Sequence, residues 1–290
     1  MSDTTTNGTV SKTDVSNEDV SREDVSTGYI DTIPRWGSPG HGAAIGELGM
    51  QYEYHDDQLV GVGEITEFML VPGTSVVRTS VLATWADFVT GTLSSTTFNP
   101  RICVTLDLDI HLHRQPVGIG AVEIKGSIVR AGRSIVVASV EFAMRGDSVP
   151  FGFGHAGFMA SPNPAHVIPD GEQLGSRSRR PSLTMPWADR AGIIRTGPTR
   201  ADVERTLEIV NPTSAIQGGV VALLAEESIL AGRPGEVLSS LALRYLSGLR
   251  GRSATAQAEV NGDLALATLI DHPSGRVATL VTARLQPAIA

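Results

Sequence analysis

The segment NPTSAIQGGVVALLAEES, Asn211 to Ser228, sets an amide, a glycine pair and a carboxylate pair along one apolar run. Its spacing predicts a helix opened by Gly218 and Gly219, with Glu226 and Glu227 in its middle and Val220, Leu223, Leu224 and Ile229 turned inward. Such a helix needs neither feature merely to pack. A glycine pair costs backbone entropy, and a buried carboxylate costs desolvation unless it is paired. Together they suit an attack on a carbonyl carbon. The N–H of Gly218, at a helix N-terminus, lacks an intrahelical partner and lies at the positive end of the helix dipole. It can receive a carbonyl oxygen as that oxygen becomes negative, while an acid activates water or attacks directly. The Asn211 amide can hold the water or the acyl group. The plainer alternative stays open on these residues alone: glycines also serve as packing devices, and Glu226 could be a paired structural acid.

A second acid occupies a comparable place. SVVRTSVLATWADFVTGTLS, Ser75 to Ser94, carries Val77, Val81, Leu82, Trp85, Phe88 and Val89 at helical spacing, with Asp87 mid-helix. Placing Asp87 opposite Glu226 maps Asn211 onto Pro72, Gly218 onto Thr79 and Gly219 onto Ser80. The first helix keeps the acid but has neither the amide nor the glycines.

The surrounding elements repeat in order. Met50 to Ile65 reads as extended with a polar turn at HDDQ, and the first helix follows. Then come VTLDLDIHLH, AVEIKGSIVR, SIVVASVEFAM and FGFGHAGFMA, all with strand character. In the second half RTLEIV (Arg205 to Val210) is expected to be extended; the glycine-led helix and a run of strands from LSSLALRYL to RVATLVTARL follow it. Strand, one long apolar helix, then antiparallel-looking strands: the order recurs although the residues hardly do. One helix enclosed by a curved antiparallel sheet, twice over, predicts an α+β fold. The expected divisions are an acidic, disordered tail over 1–29, a first repeat over 30–160, a linker over 161–186 and a second repeat over 187–290. The tail carries DVS three times, and the linker holds five prolines and SRSRRP.

These residues carry a resemblance. Asn211, Gly218-Gly219 and Glu226 resemble the pattern of hotdog-fold acyl-CoA thioesterases of the phenylacetate-pathway type. That family has an amide residue, six intervening positions, two glycines and a mid-helix acid; Gln217 stands where it often has histidine. The match covers 206–285 well and 50–160 more loosely. The resemblance implies two hotdog repeats and a coenzyme A thioester as substrate, with no other cofactor. It also implies sites shared across the pair, amide and glycine from one half and acid from the other. Asn211 and Gly218 would then meet Asp87, as base or nucleophile, in one intact site. Glu226 would face Pro72 and Thr79 in a degenerate one. VRAGRS resembles the family's turn between two strands, which makes Arg130 and Arg133, with Arg250 and Arg252 at a comparable turn, candidates for the phosphates of coenzyme A. Trp85 and Phe88 could line a pocket beside Asp87.

Composition narrows the alternatives. The 290 residues are 41% hydrophobic with a formal net charge of −8, which leaves no electrostatic drive toward nucleic acid. A lone cysteine, Cys103, excludes an internal disulfide and fits a reducing compartment. The N-terminus has no signal-peptide pattern and no run is long enough to cross a bilayer, so a cytoplasmic protein without membrane insertion is expected. An exposed sheet face leads us to expect a homo-oligomer. Asp107, Asp109, His111 and His113 share one strand face, but four ligands along a straight strand cannot converge on one metal. Two other readings remain: a non-catalytic acyl or acyl-CoA binding module, and an enoyl-CoA hydratase suggested by NPAH at Asn163 to His166, which we read as linker.

Overall fold

The computed structural model describes residues 39–55, 58–168 and 180–289. The expected tail and the middle of the expected linker lie outside the described residues. The first repeat consists of α1 (Ala43–Gly46), β1 (Gln51–His55), β2 (Gln58–Ile65), α2 (Thr79–Phe98), β3 (Cys103–Leu112), β4 (Gly120–Ala131), β5 (Val136–Met144) and β6 (Gly152–Ala160). The second has α3 (Trp187–Arg190), β7 (Ile193–Gly197), β8 (Arg200–Glu204), α4 (Gly218–Leu230), β9 (Glu236–Tyr245), β10 (Ser253–Asn261), β11 (Leu264–His272) and β12 (Arg276–Pro287). The two lists match element for element.

All twelve strands among the described residues join one sheet in the order β1-β2-β4-β5-β6-β3-β9-β12-β11-β10-β8-β7, which reads the same from either end once the repeats are exchanged. The seam is the antiparallel pair β3–β9, in register from Asp107 opposite Arg244 to His111 opposite Ser240. Arg244 also binds the Asp109 carboxylate across it.

Alternation places Leu108, Ile110 and Leu112 of β3 inside, against the helices. Val220, Leu223, Leu224 and Ile229 of α4 are fully buried, as its apolar circumference requires. The long helices lie side by side. Asp87 meets Gln217, Thr84 meets Gly219 and Thr79 meets Glu226, so α2 and α4 run antiparallel. That crossing brings the start of each helix to the middle of the other.

Some expectations need correction. The first helix spans Thr79–Phe98, not Ser75 to Ser94: Leu70 and Val77 still pair as a β-bridge, which holds the chain before Arg78 extended. Leu207–Ile209 of RTLEIV is a turn of 3-10 helix, and the strand expected there lies earlier, as the hairpin β7–β8. The described start of the expected linker is not free chain. Val167 bridges Arg101 and the Ile102 N–H donates to the His166 carbonyl, so 161–168 lies against the approach to β3.

Candidate active site

The site is built at the start of α4. Asn211 precedes a tight turn and its side-chain oxygen accepts from Thr213 N at 2.9 Å, Thr213 Oγ1 at 2.8 Å and Ala215 N at 3.2 Å. This Asx-type turn consumes the amide oxygen and leaves only Nδ2 for a ligand. It delivers the chain to Gln217, whose Oε1 caps the helix by accepting from Gly219 N at 2.6 Å and Val220 N at 3.3 Å. Gln217 thus supplies the N-cap. Two donors of the first turn are satisfied in this way. The Gly218 N–H has no partner among the described residues, as the first amide of a helix has none within it.

The two glycines have different physical reasons. A Cβ on Gly219 would lie 2.0 Å from Thr84 Oγ1, so this glycine lets α4 touch α2. A Cβ on Gly218 would lie 3.1 Å from the Tyr245 hydroxyl and 3.2 Å from Asp87 Oδ2. There the missing side chain leaves room at the acid.

Asp87, from α2, accepts from Thr105 Oγ1 at 2.8 Å and from Gln217 Nε2 at 3.2 Å. Burial raises its pKa to about 6, opposed by the Thr105 hydrogen bond. Its carboxylate is therefore far more basic than an exposed one while still largely ionised at neutral pH. That suits general-base work. The neighbouring Cys103 thiol is pushed up to about 12 by burial and by Asp87, and is no nucleophile.

Asp87, Asn211, Gln217, Gly218 and Tyr245 line one cavity of about 550 Å³ formed between the repeats. Phe88, Gly91, Ile102, Phe158 and Met159 make an apolar wall from the first repeat. The second repeat contributes a more polar wall, with Ser247, Arg250 and Arg276. Arg250 reaches Thr213, donating to its Oγ1 at 3.2 Å.

The other expected residues fall elsewhere. Glu226 is not in the cavity. It is 0% exposed and accepts from Thr79 N at 3.0 Å, Ser80 Oγ at 2.5 Å and Arg78 Nη1 at 3.2 Å. It does face Thr79, but as the sealed partner of a buried arginine. Glu227 joins the same arginine at 2.6 Å and Arg195 at 2.6 Å. Burial pulls the Glu227 carboxyl upward, but Arg78 and Arg195 outweigh it and hold it below its usual range. Of the arginine candidates only Arg250 lines the cavity; Arg130, Arg133 and Arg252 are exposed outside it. Trp85 turns away and donates to the Gly49 carbonyl, whereas Phe88 does line the cavity. His166 is absent from the lining and contacts Ser161 and Asn163. No cluster of metal-ligating side chains exists among the described residues. Nor is any described helix long and apolar enough to cross a membrane.

Sequence reasoning named Gln217 without giving it a role and passed over Tyr245 and Arg276. The shift that pairs Asp87 with Glu226 also pairs Gln217 with Arg78, two side chains at helix starts that each reach an acid; that was the available signal for Gln217. Nothing local marks Tyr245 or Arg276, which reach the cavity only through the closure of the sheet.

Residues 76–149 match the family model of the thioesterase superfamily. No curated protein matches the chain. Among solved structures, the 12:0-ACP thioesterase from Umbellularia californica is similar over 81% of this chain and 99% of its own, with 10% identity and a TM-score of 0.60. An acyl-ACP thioesterase from Bacteroides thetaiotaomicron is similar over 78% and 98%, with 10% identity and a TM-score of 0.56. The tesB protein of Mycobacterium avium subs paratuberculosis is similar over 86% and 99%, with 13% identity and a TM-score of 0.53. The architecture is the hotdog fold, present twice in one chain.

Proposed function

We propose that this double-hotdog chain hydrolyses acyl thioesters at one asymmetric site, formed where the start of α4 meets Asp87. The observation that carries the reading is a free helix-start amide on a glycine beside a carboxylate whose basicity is raised by burial. The carbonyl oxygen of the thioester approaches the Gly218 N–H, where no Cβ obstructs it. As the carbon becomes tetrahedral, this amide and the helix dipole stabilise the negative oxygen. Asp87, held by Thr105 and Gln217, takes a proton from the attacking water. The acyl chain lies along Phe88, Gly91 and Phe158, and the carrier arm leaves past Ser247 and Arg250. Arg250 and Arg276 offer charge-assisted contacts to the phosphates of a pantetheine carrier. Acyl-CoA is the substrate class we favour; the acyl-ACP thioesterases that share the fold make acyl carrier protein the alternative carrier.

Free-thiol release from a panel of acyl-CoAs and acyl carrier proteins tests this. Wild-type turnover that Asp87→Ala abolishes and Glu226→Gln leaves in place is the expected result. Tight binding of acyl-CoA without thiol release would instead make the chain a binding module. Hydrolysis surviving Asp87→Ala but lost in Glu226→Gln would put the site in the wrong half. A single turnover in ¹⁸O-labelled water separates the roles of Asp87. Label in the released acid means that water attacks, and label in the Asp87 carboxylate means that the acid does.

A further inference from the structure

One hydroxyl in the cavity wall has no part in the steps above. Tyr245 closes strand β9, lines the cavity and donates to the Gly218 carbonyl oxygen at 3.1 Å. Its hydroxyl and Asp87 Oδ2 stand on either side of the open face of Gly218, each within about 3 Å of where a Cβ would be. Hydroxyl, carboxylate and the bare α-carbon therefore enclose one small space. The Gly218 carbonyl already belongs to the helical ladder, accepting from the amide four residues on. The tyrosine bond is an additional one, and exchanging it for a ligand oxygen leaves the helix intact. The corresponding strand end in the first repeat is Leu112, buried and without a donor.

On the thioesterase reading given above, we infer that Tyr245 is a second catalytic donor to the thioester carbonyl oxygen. Its hydroxyl turns from Gly218 O to the substrate, and the negative charge is shared with the Gly218 N–H. The water oxygen bonds to the carbonyl carbon while its proton passes to Asp87. The electron pair of the C=O bond moves onto the oxygen between the two donors. It returns as the C–S bond breaks, and the departing sulfur takes the proton from Asp87. Tyr245 lends a hydrogen bond throughout and gives up no proton. Burial and the charge of Asp87 both hold its phenol well above the ordinary pKa, so the donor stays protonated across the working range.

Steady-state kinetics of Tyr245→Phe, with a non-hydrolysable acyl-CoA thioether as a binding probe, decides the matter. Loss of one such donor is expected to lower kcat roughly 100-fold, with KM and thioether affinity nearly unchanged. Replacing Tyr245 by a series of fluorinated tyrosines keeps the Gly218 bond and the packing but makes the phenol more acidic. A catalytic donor makes log kcat vary with phenol acidity, whereas a structural tyrosine leaves it flat. Unchanged kcat in Tyr245→Phe, or a flat fluorotyrosine series, overturns the inference alone. A wild-type chain that releases no thiol from any carrier overturns the thioesterase reading as well.

Discussion

The two ends of the helix pair are built on one plan and finished differently. At one end Gln217 caps α4, the Gly218 amide is left open, and Asp87 stands beside a cavity. At the other, Arg78 precedes α2, and Glu226 reaches over to accept the Thr79 amide, the equivalent of Gly218, at 3.0 Å. The acid thus takes up the amide equivalent to the one that, on the proposed reading, receives the substrate oxygen at the other end. Ser80 and Arg78 fill what space remains, and Glu227 with Arg195 complete a buried network. An N-cap amide leaves the neighbouring acid neutral in its demands. A buried guanidinium cannot go unpaired, so it draws the acids inward and closes the site. On the thioesterase reading proposed above, the difference between the working end and the sealed one is one side chain at a helix start and the Cβ that follows it.

The comparison breaks first at the acids. Asp87→Ala should lower kcat/KM by about 10³-fold, within the range for removal of a general base. Glu226→Gln should leave kcat/KM within a few-fold, measured on whatever fraction remains folded. Equal losses would mean that both ends work.

Stability should show the reverse ranking. Arg78→Met leaves the buried Glu226 without its cation and Glu227 with Arg195 alone, and should destabilise by about 3–5 kcal/mol, read as the midpoint of denaturant unfolding. Gln217→Met removes one cap and should cost about 1 kcal/mol. Similar shifts for the two would show that the sealed end is not held by charge.

Asp87 should then trade stability for activity. Its folded pKa of about 6 lies above the unfolded value, so the folded state binds the proton more readily. Stability from this group is present at low pH and lost as pH rises from about 4 to 6. Asp87→Asn should therefore be the more stable protein above pH 6, by on the order of 2 kcal/mol, the gap closing toward pH 4. Thermal unfolding across that range checks it. In the wild type kcat/KM should fall as pH drops through about 6. A flat profile there would remove Asp87 as base.

The smallest effect concerns the acyl wall. A Cβ on Gly91 would touch the Phe158 ring at 3.4 Å. Gly91→Val should narrow this end and shift the preferred chain by one or two methylenes, about 0.8 kcal/mol each. A panel of acyl lengths at fixed concentration measures it.

Much of this was legible beforehand because it depends on local rules. Period-2 alternation located β3, apolar circumference marked both long helices as enclosed, and the repeated order set Asp87 opposite Glu226, while the meeting of Gly218 with Asp87 was what the family resemblance implied. The hairpin β7–β8 was hidden because IIRTGPTRADVE is short, partly exposed and rich in turn residues, so its alternation is weak. The arginine candidates could not be ranked from sequence for another reason. Arg130 and Arg250 sit at similar strand turns in sequence, but only one of those turns borders the cavity.

Sequence alone determined that each half holds one buried helix against strands, and that an acid and an unobstructed helix-start amide exist in different halves. Those follow from periodicity and from the conformational demands of glycine, which act within a few residues. Only the tertiary structure decided which acid meets which amide. The antiparallel crossing of α2 and α4 brings Asp87 to Gly218 and Glu226 to Thr79, and burial then sets their chemistry. The raised pKa of one and the locked ion pair of the other arise from desolvation and neighbours contributed by distant segments, which no local pattern encodes.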